Sequence, residues 1–396
     1  MGGSLMDTQQ QGILTLIRCG LTGEKLAPPE EFDLDRAYET LRRHQVLALG
    51  YLGAVNCGIS KQHPVMLRLF QNYGQSLQHS EHQLAMAERI CDVFDNASVD
   101  YMPLKGCRIK QLYPAPELRS MGDMDILIRV EQYETIQPLL LGMGFSERIE
   151  SDHELIWENG KLMVELHKRL IPSYNRDYYR YFGDGWRLAR VERGTRYTMS
   201  AEDEFVYLFT HFAKHYRDGG IGLRHLADLW VYLHAYPELD MSRVRKELES
   251  LNLLTFFENV QKTFEAWLGE RKWDEMSRFV MSRIFASGAY GTREGHELSG
   301  VARVAQGSMP ARKARFLRYF GVVFPPLKQM KERYPVLSHV PVLLPLCWVH
   351  RGIKVLLFRR SRIGTFADKI RLTGAQAVDA YERDLDFVGL NFKFEE

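Results

Sequence analysis

The sequence predicts an α+β fold in which a small mixed-sheet core is flanked by N-terminal and C-terminal helical regions. Apolar residues recur at helical spacing from about Ile13 to Asn96, and again from Ala201 onward. Between these stretches the texture changes to short apolar runs divided by turn residues, the mark of strands. No internal repeat and no low-complexity tract points to a solenoid or an array. The expected division is 1–90 for the N-terminal helical region, 91–195 for the α/β core and 196–396 for a C-terminal helical region that forms a cleft over the core.

Taken in order, residues 1–12 are Gly- and Gln-rich and are expected to be loose. Ala37, Leu41, Val46 and Leu49 recur at helical spacing, and His79 to Phe94 holds no Gly or Pro and reads as one long helix. Val99 to Leu104 is short, apolar and strand-like. Lys105-Gly106 follows as a turn, then a short helix to Leu112 that Pro114 and Pro116 end. Asp123 to Val130 reads as a strand and Glu131 to Met143 as a helix with Tyr133, Ile136, Leu140 and Met143 on one stripe. Leu155–Glu158 and Leu162–His167 flank Asn159-Gly160, a hairpin signal. Helices return with Glu202–Tyr216 and Leu223–Tyr236.

At 396 residues the chain is long for one core. Its 45% hydrophobic and 26% charged content is that of an ordinary soluble globular protein. Lys and Arg total 52 against 50 Asp and Glu, a balance that neither demands nor excludes a nucleic-acid partner, because a basic patch hides easily in it. Cys19, Cys57, Cys91, Cys107 and Cys347 are widely spaced with no CxxC pair, so a reducing cytoplasm is the expected setting rather than a disulfide framework or zinc cluster. The N-terminus lacks the basic-then-apolar pattern of a signal peptide. Val340 to Cys347 is too short to span a bilayer and is expected to be a buried helix, so no membrane partner is foreseen.

The informative chemistry lies in Arg119-Ser120-Met121-Gly122-Asp123-Met124-Asp125-Ile126-Leu127-Ile128. Side chains alternate faces along a strand, so Asp123, Asp125 and Leu127 share one face. Two carboxylates so placed repel unless a divalent cation lies between them, and Mg²⁺ takes few protein oxygens, leaving room for phosphates and water. In Leu162-Met163-Val164-Glu165-Leu166-His167, Glu165 shares a face with Met163 and His167, and an acid between Val and Leu on a central strand is costly unless paired or metal-bound. If the two strands are neighbours, Asp123, Asp125 and Glu165 converge as a ligand set for two metal ions about 3.5–4 Å apart. A lone Asp-x-Asp is more often a solvated strand edge, and Glu165 alone is equally a partner for Lys168 or Arg169; the combination in this order is the stronger signal.

On the phosphate side, Gly106 permits close backbone approach at the start of a helix and Lys105 adds a point charge. Arg119 has the reach for a β- or γ-phosphate, or is a surface arginine after the proline break. His211 and His215 sit one helical turn apart, a zinc-compatible spacing without a third ligand, and are expected to line the cleft. His167 either orients Glu165, touches substrate or is a core histidine. Arg312, Lys313, Arg315, Arg318, Arg351, Lys354, Arg359, Arg360 and Arg362 alternate with Phe316, Tyr319, Phe320, Trp348 and Phe358, a pattern open to nucleic acid but more simply read as solvated helix faces. Asp218-Gly219-Gly220 is expected to be a mobile turn between helices, which would let it gate the cleft.

These residues resemble a known family. Pro103-Leu104-Lys105-Gly106, Leu112-Tyr113-Pro114, Leu118-Arg119, Gly122-Asp123-Met124-Asp125-Ile126-Leu127-Ile128 and Val164-Glu165-Leu166-His167 look like the bacterial uncharacterised nucleotidyltransferases of the polymerase-β-like superfamily. His211, His215, Arg224-His225-Leu226-Ala227-Asp228-Leu229, Arg333-Tyr334-Pro335 and Leu343-Leu344-Pro345 fit the same pattern. The wider superfamily has Gly-Ser or Gly-Gly where this chain has Lys105-Gly106, which leaves Lys105 in place of a phosphate-binding serine. The resemblance implies a two-metal mechanism with Mg²⁺ or Mn²⁺ on Asp123, Asp125 and Glu165. Lys105, Gly106, Arg119 and Gly122 would lie against the triphosphate, and His167, His211, His215 and Arg224 in the cleft. A nucleoside monophosphate would pass from an NTP to an acceptor (a small molecule, a peptide or a protein) with release of pyrophosphate. The alternatives are an inactive nucleotide- or partner-binding module on the same fold, and a nucleic-acid-binding protein acting through its basic C-terminal region.

Overall fold

A computed structural model describes residues 6–358 and 361–393. Arg359 and Arg360 of the basic run lie outside the described residues, as do the side chains of Phe358 and Arg362. The chain forms two compact units, one of Met1–Lys214 with Ile221–Tyr290 and one of His215–Gly220 with Gly291–Glu396.

The first unit opens with α1 (Thr8–Thr22), α2 (Leu34–Arg43), α3 (Leu47–Asn56) and the 33-residue α4 (Pro64–Asn96). The expectation of a loose start is corrected from Thr8 onward, because the Asp7 carboxylate caps α1 by accepting the Gln10 N–H at 2.7 Å. Asp33 caps α2 in the same way, and Pro64 occupies the first turn of α4, where its missing N–H costs nothing. The helix read as His79–Phe94 is thus only the second half of α4. Helices α1 and α3 pack backbone to backbone, and a Cβ on Gly53 would lie 1.8 Å from the Leu16 carbonyl oxygen.

The sheet follows. It comprises β1 (Tyr101–Pro103), α5 (Lys105–Ile109), β2 (Asp123–Ile128), α6 (Tyr133–Gly142), β3 (Ser146–Glu150), β4 (Glu154–Glu158), β5 (Met163–His167), α7 (Arg176–Phe182), β6 (Arg190–Arg193) and β7 (Arg196–Thr198). The seven strands lie in the order β3-β4-β5-β2-β1-β7-β6. The pairs β2–β5 and β1–β7 are parallel and the others antiparallel, so the sheet is mixed. Three strands absent from the sequence reading, β3, β6 and β7, complete it. β3 and β6 are the two edges and are solvent-exposed throughout, so they lack the apolar alternation that marks a half-buried strand.

One face of the sheet is the core. Met124, Ile126 and Ile128 of β2, Val164 and Leu166 of β5, and Leu155 and Trp157 of β4 pack against Ile90 and Phe94 of α4 and Ile136 and Leu140 of α6. Tyr133 and Met143 complete the α6 stripe as half-buried neighbours of this cluster. The unit closes with α8 (Ala201–Arg217, which runs into the second unit), α9 (Leu223–Ala235), α10 (Met241–Ser250), α11 (Leu254–Leu268) and α12 (Glu275–Ser287). Here an aromatic cluster supplies the packing: Phe257 of α11 meets Phe209 of α8 edge-on at 5.2 Å and Phe205 at 5.9 Å.

The second unit holds α13 (Arg293–Ala305), α14 (Ala311–Val323), α15 (Leu327–Arg333), α16 (Leu344–Phe358), α17 (Ser361–Leu372) and α18 (Ala375–Val388). Two expectations are corrected in it. The Asp218-Gly219-Gly220 turn is pinned rather than loose: Asp218 pairs with Arg303 at 2.5 Å and the Gly219 carbonyl accepts the Thr292 N–H at 3.0 Å. Val340–Cys347 is not a buried helix. It is a single 3-10 turn at Pro341–Leu343 leading into α16, and Val342 is 80% exposed. Among the described residues no helix is long and apolar enough to cross a membrane, and all five cysteines are free thiols.

Candidate active site

β2 and β5 lie side by side in parallel, with Asp123 opposite Met163, Asp125 opposite Glu165 and Leu127 opposite His167. Because the faces alternate and Met124, Ile126, Val164 and Leu166 point into the core, Asp123, Asp125, Glu165 and His167 all point to the other face. β4 adds a fourth acid there. Glu154 pairs with His167 across the antiparallel register, while its neighbours Leu155 and Trp157 are core residues.

Asp125 is the centre of the cluster and is 5% exposed. His167 Nε2 lies 2.7 Å from its Oδ1, and Lys105 Nζ donates to the same oxygen at 3.2 Å. Burial alone would raise this carboxyl; the Lys105 charge and the His167 contact outweigh it and hold the group well below the usual carboxylate range. Both contacts fall on Oδ1, which leaves Oδ2 for another ligand. Lys105 enters from the turn after β1, where its backbone sits at φ 29°, a left-handed conformation that a non-glycine residue adopts at a cost. Its ammonium also stands 5.8 Å from the ring centre of Tyr207 on α8.

The remaining acids are less fully compensated: His153 pairs with Glu154 at 2.8 Å, His167 Nε2 lies 3.7 Å from Glu165 Oε2, and Lys105 and Arg224 act on Asp123 only through their charge. Burial, then the charges of Asp123, Asp125 and Glu154, push Glu165 up to about 9. Burial and Asp125 likewise raise Asp123. Lys168 and Arg169 do not relieve Glu165, since they pair with Glu150 and Asp152. Buried acids that repel one another in this way suit a cation. The donor atoms of Asp125, Glu165 and His167 all lie within 4.8 Å of one another, close to the span one divalent ion bridges. The donor set therefore fits a divalent metal, and among the described residues it is the one such grouping.

The structure gathers Lys105, Asp123, Asp125, Glu165 and His167 and sets the other candidates around them. Gly106 is buried at the start of α5, and a Cβ there would meet Met121 Sδ at 2.8 Å and Arg119 at 3.2 Å. Arg119 is buried in a two-pronged ion pair with Asp228 of α9, at 2.8 and 2.9 Å, and Tyr113 donates to the same carboxylate at 2.8 Å. As a phosphate ligand Arg119 would first have to leave Asp228. Gly122 is exposed beside Asp123. Arg224, at the start of α9, donates to the Ser120 carbonyl at 2.9 Å and lies near enough to feel the Asp123 charge. His211 is one turn along α8 from Tyr207, with rings 6.4 Å apart, and His215 lies past the first unit's boundary on the same helix. A cavity of about 470 Å³ opens elsewhere, on the Ile126 side of the sheet between Cys91, Cys107, Arg108, Arg196 and Tyr232, and none of the acids on β2 and β5 lines it.

The sequence reading assigned no site role to Asp228, Glu154 or Tyr207, although Asp228 stood in the run Arg224–Leu229 and Tyr207 stands one turn from His211. Asp228 carried a signal, being an acid inside the apolar run Leu226-Ala227-Asp228-Leu229 where only a buried partner makes it tolerable. Glu154 carried one too, through its alternation with Leu155 and Trp157.

A family described as "Uncharacterised nucleotidyltransferase" matches residues 30–269. No curated protein and no solved structure matches the chain. The family match spans more than half of the sequence, including the whole sheet and the acidic cluster, and the chain belongs to the uncharacterised nucleotidyltransferase family.

Proposed function

We propose that the chain transfers a nucleoside monophosphate from an NTP to an acceptor hydroxyl and releases pyrophosphate. The observation that carries this reading is the parallel register that sets Asp125 opposite Glu165, with Asp123 on the same face and the Glu165 carboxyl pushed up by burial and by the acids around it. Asp123, Asp125 and Glu165 would hold Mg²⁺ or Mn²⁺, which when bound neutralises triphosphate charge and lowers the pKa of the attacking hydroxyl. His167 and Lys105 fix the Asp125 carboxylate through Oδ1. Lys105 and Arg224 draw the triphosphate to the acidic face, and exposed Gly122 lets its backbone approach. Arg119 acts as a strut: through Asp228 it ties the segment before β2 to α9 and so sets where Asp123 and Arg224 stand. The acceptor oxygen bonds to the α-phosphorus, the bond to the bridging oxygen breaks, pyrophosphate departs with that oxygen, and the acceptor's proton passes to Glu165 in its carboxylate form, the form that a bound cation would favour.

Calorimetric titration of ATP, GTP, CTP and UTP with Mg²⁺ or Mn²⁺ tests this on the natural chain and on an Asp123→Ala/Asp125→Ala double variant. Metal-dependent binding of an NTP that disappears in the double variant is the expected result. No NTP binding by the folded natural chain would overturn the reading. A second reading rests on the Lys105–Asp125 ion pair: a cation of the protein's own already neutralises the central acid, as suits a module that binds nucleotide without turnover. NTP binding that persists without metal, with no pyrophosphate release, would favour it.

A further inference from the structure

From Leu298 to Ala367 the chain holds thirteen lysines and arginines and a single acid, Glu332. The whole chain has a net charge of only +2, so this stretch is strongly basic against an acidic remainder. The same stretch presents apolar side chains to solvent. On α16, Leu346, Val349, Ile353 and Leu357 follow one another at i, i+3 and i, i+4 spacing and are all at least half exposed, so they form one outward stripe. The opposite side of the helix is anchored. Cys347 packs with Met330 and Leu337, Trp348 Nε1 donates to the Pro325 carbonyl at 2.9 Å, and Arg351 donates to the Val323 carbonyl at 3.0 Å. The stripe is therefore held outward by the fold. α14 widens it: the exposed rings of Phe316 and Phe320 lie 5.7 Å apart and continue through Phe324 to Trp348. Arg312, Lys313, Lys328 and Lys354 are exposed around this surface.

We propose that this face of the second unit docks on the surface of an anionic lipid bilayer. The aliphatic and aromatic side chains enter the boundary between headgroups and acyl chains, and the lysines and arginines meet the lipid phosphates. Soluble chains rarely leave so continuous an apolar surface uncovered. Charge selects the occupant: although Arg303 and Arg318 pair with Asp218 and Glu297, α14 and α16 themselves hold no acid, which suits a uniformly negative plane rather than a protein of mixed charge. The branched aliphatic residues select against nucleic acid, which offers phosphates and stacking bases but nothing that buries Leu, Val and Ile. The attachment lies on the membrane without crossing it, as no described helix is long and apolar enough to span one.

Co-sedimentation of the full chain with extruded vesicles tests this, comparing pure phosphatidylcholine with phosphatidylcholine containing a quarter phosphatidylglycerol. Partitioning onto the anionic vesicles should exceed that onto neutral ones by at least about tenfold and fall as salt is raised. Leu346→Ser/Ile353→Ser should weaken it by about tenfold or more with an unchanged thermal midpoint, because both residues already face solvent. Lys354→Glu should reduce the preference for anionic lipid while leaving the weak neutral binding as it was. No vesicle binding would overturn the proposal, and so would full binding by the double serine variant. RNA binding that displaces the chain from vesicles, or a dimer that the serine variant abolishes in the absence of vesicle binding, would assign the surface to another occupant and overturn it equally.

Discussion

Replacing Glu165 with Gln should make the metal-free protein more stable while removing its response to metal. Glu165 is largely buried beside Asp123, Asp125 and Glu154, and its carboxyl is pushed from an ordinary 4.5 up to about 9. The sign follows from that direction. Between those two values the folded chain holds a proton that the unfolded chain has released, so the group destabilises the fold throughout the window. At pH 7 the distance from the unfolded value corresponds to about 3 kcal/mol. Gln keeps the shape but carries no charge to release. In EDTA at pH 7 the variant should therefore unfold at higher urea than the natural chain, by about 2–3 kcal/mol, with the gap closing as pH falls toward 4.5. With Mg²⁺ or Mn²⁺ at a hundredfold excess over its dissociation constant, the natural chain should gain about 2.7 kcal/mol and the variant little. Urea melts of both chains, with and without metal, decide the matter. A variant less stable than the natural chain in EDTA would refute the electrostatic account, and a natural chain indifferent to both metals would refute the metal assignment.

Three further outcomes follow from the packing. Asp228→Ala strands Arg119 in a buried site without its ion-pair partner and should cost about 3–5 kcal/mol in urea melts, so a loss below 1 kcal/mol would show that the strut is not needed. His44 is buried and accepts the Leu223 N–H at 3.2 Å through Nδ1, and burial followed by the Arg43 charge holds it down to about 4. The unfolded chain takes up that proton first as pH falls through about 6.5, so the fold should lose about 2 kcal/mol between pH 7 and pH 5, and His44→Gln should flatten this part of the stability profile. If the two profiles run parallel, His44 is not the group responsible. Gly53→Ala places a methyl against the Leu16 carbonyl and should cost about 1–3 kcal/mol or more despite alanine's better helix propensity; a thermal midpoint at or above that of the natural chain would contradict the close α1–α3 approach.

The sequence by itself determined the α+β class, the central strands and the core face of each, because alternation in Asp123–Ile128 and Leu162–His167 records which side is buried. It also determined that acids lie on the opposite side of those same strands. Edge strands β3 and β6 left no such record, since a strand without a buried face has no alternation to read. Only the tertiary structure decided that β2 and β5 are neighbours and parallel in a register that sets Asp125 against Glu165. Pairing is a property of two distant segments, and a slip of β5 by one residue would have turned Glu165 into the core. The fold also decided what each cation does. Lys105 lies on Asp125 and Arg119 on Asp228, although both arose in the sequence as charges without partners. The outward stripe of α16 was decided there too: an apolar run states that a surface must leave water, but whether its own chain or something else covers it depends on how the neighbouring helices pack.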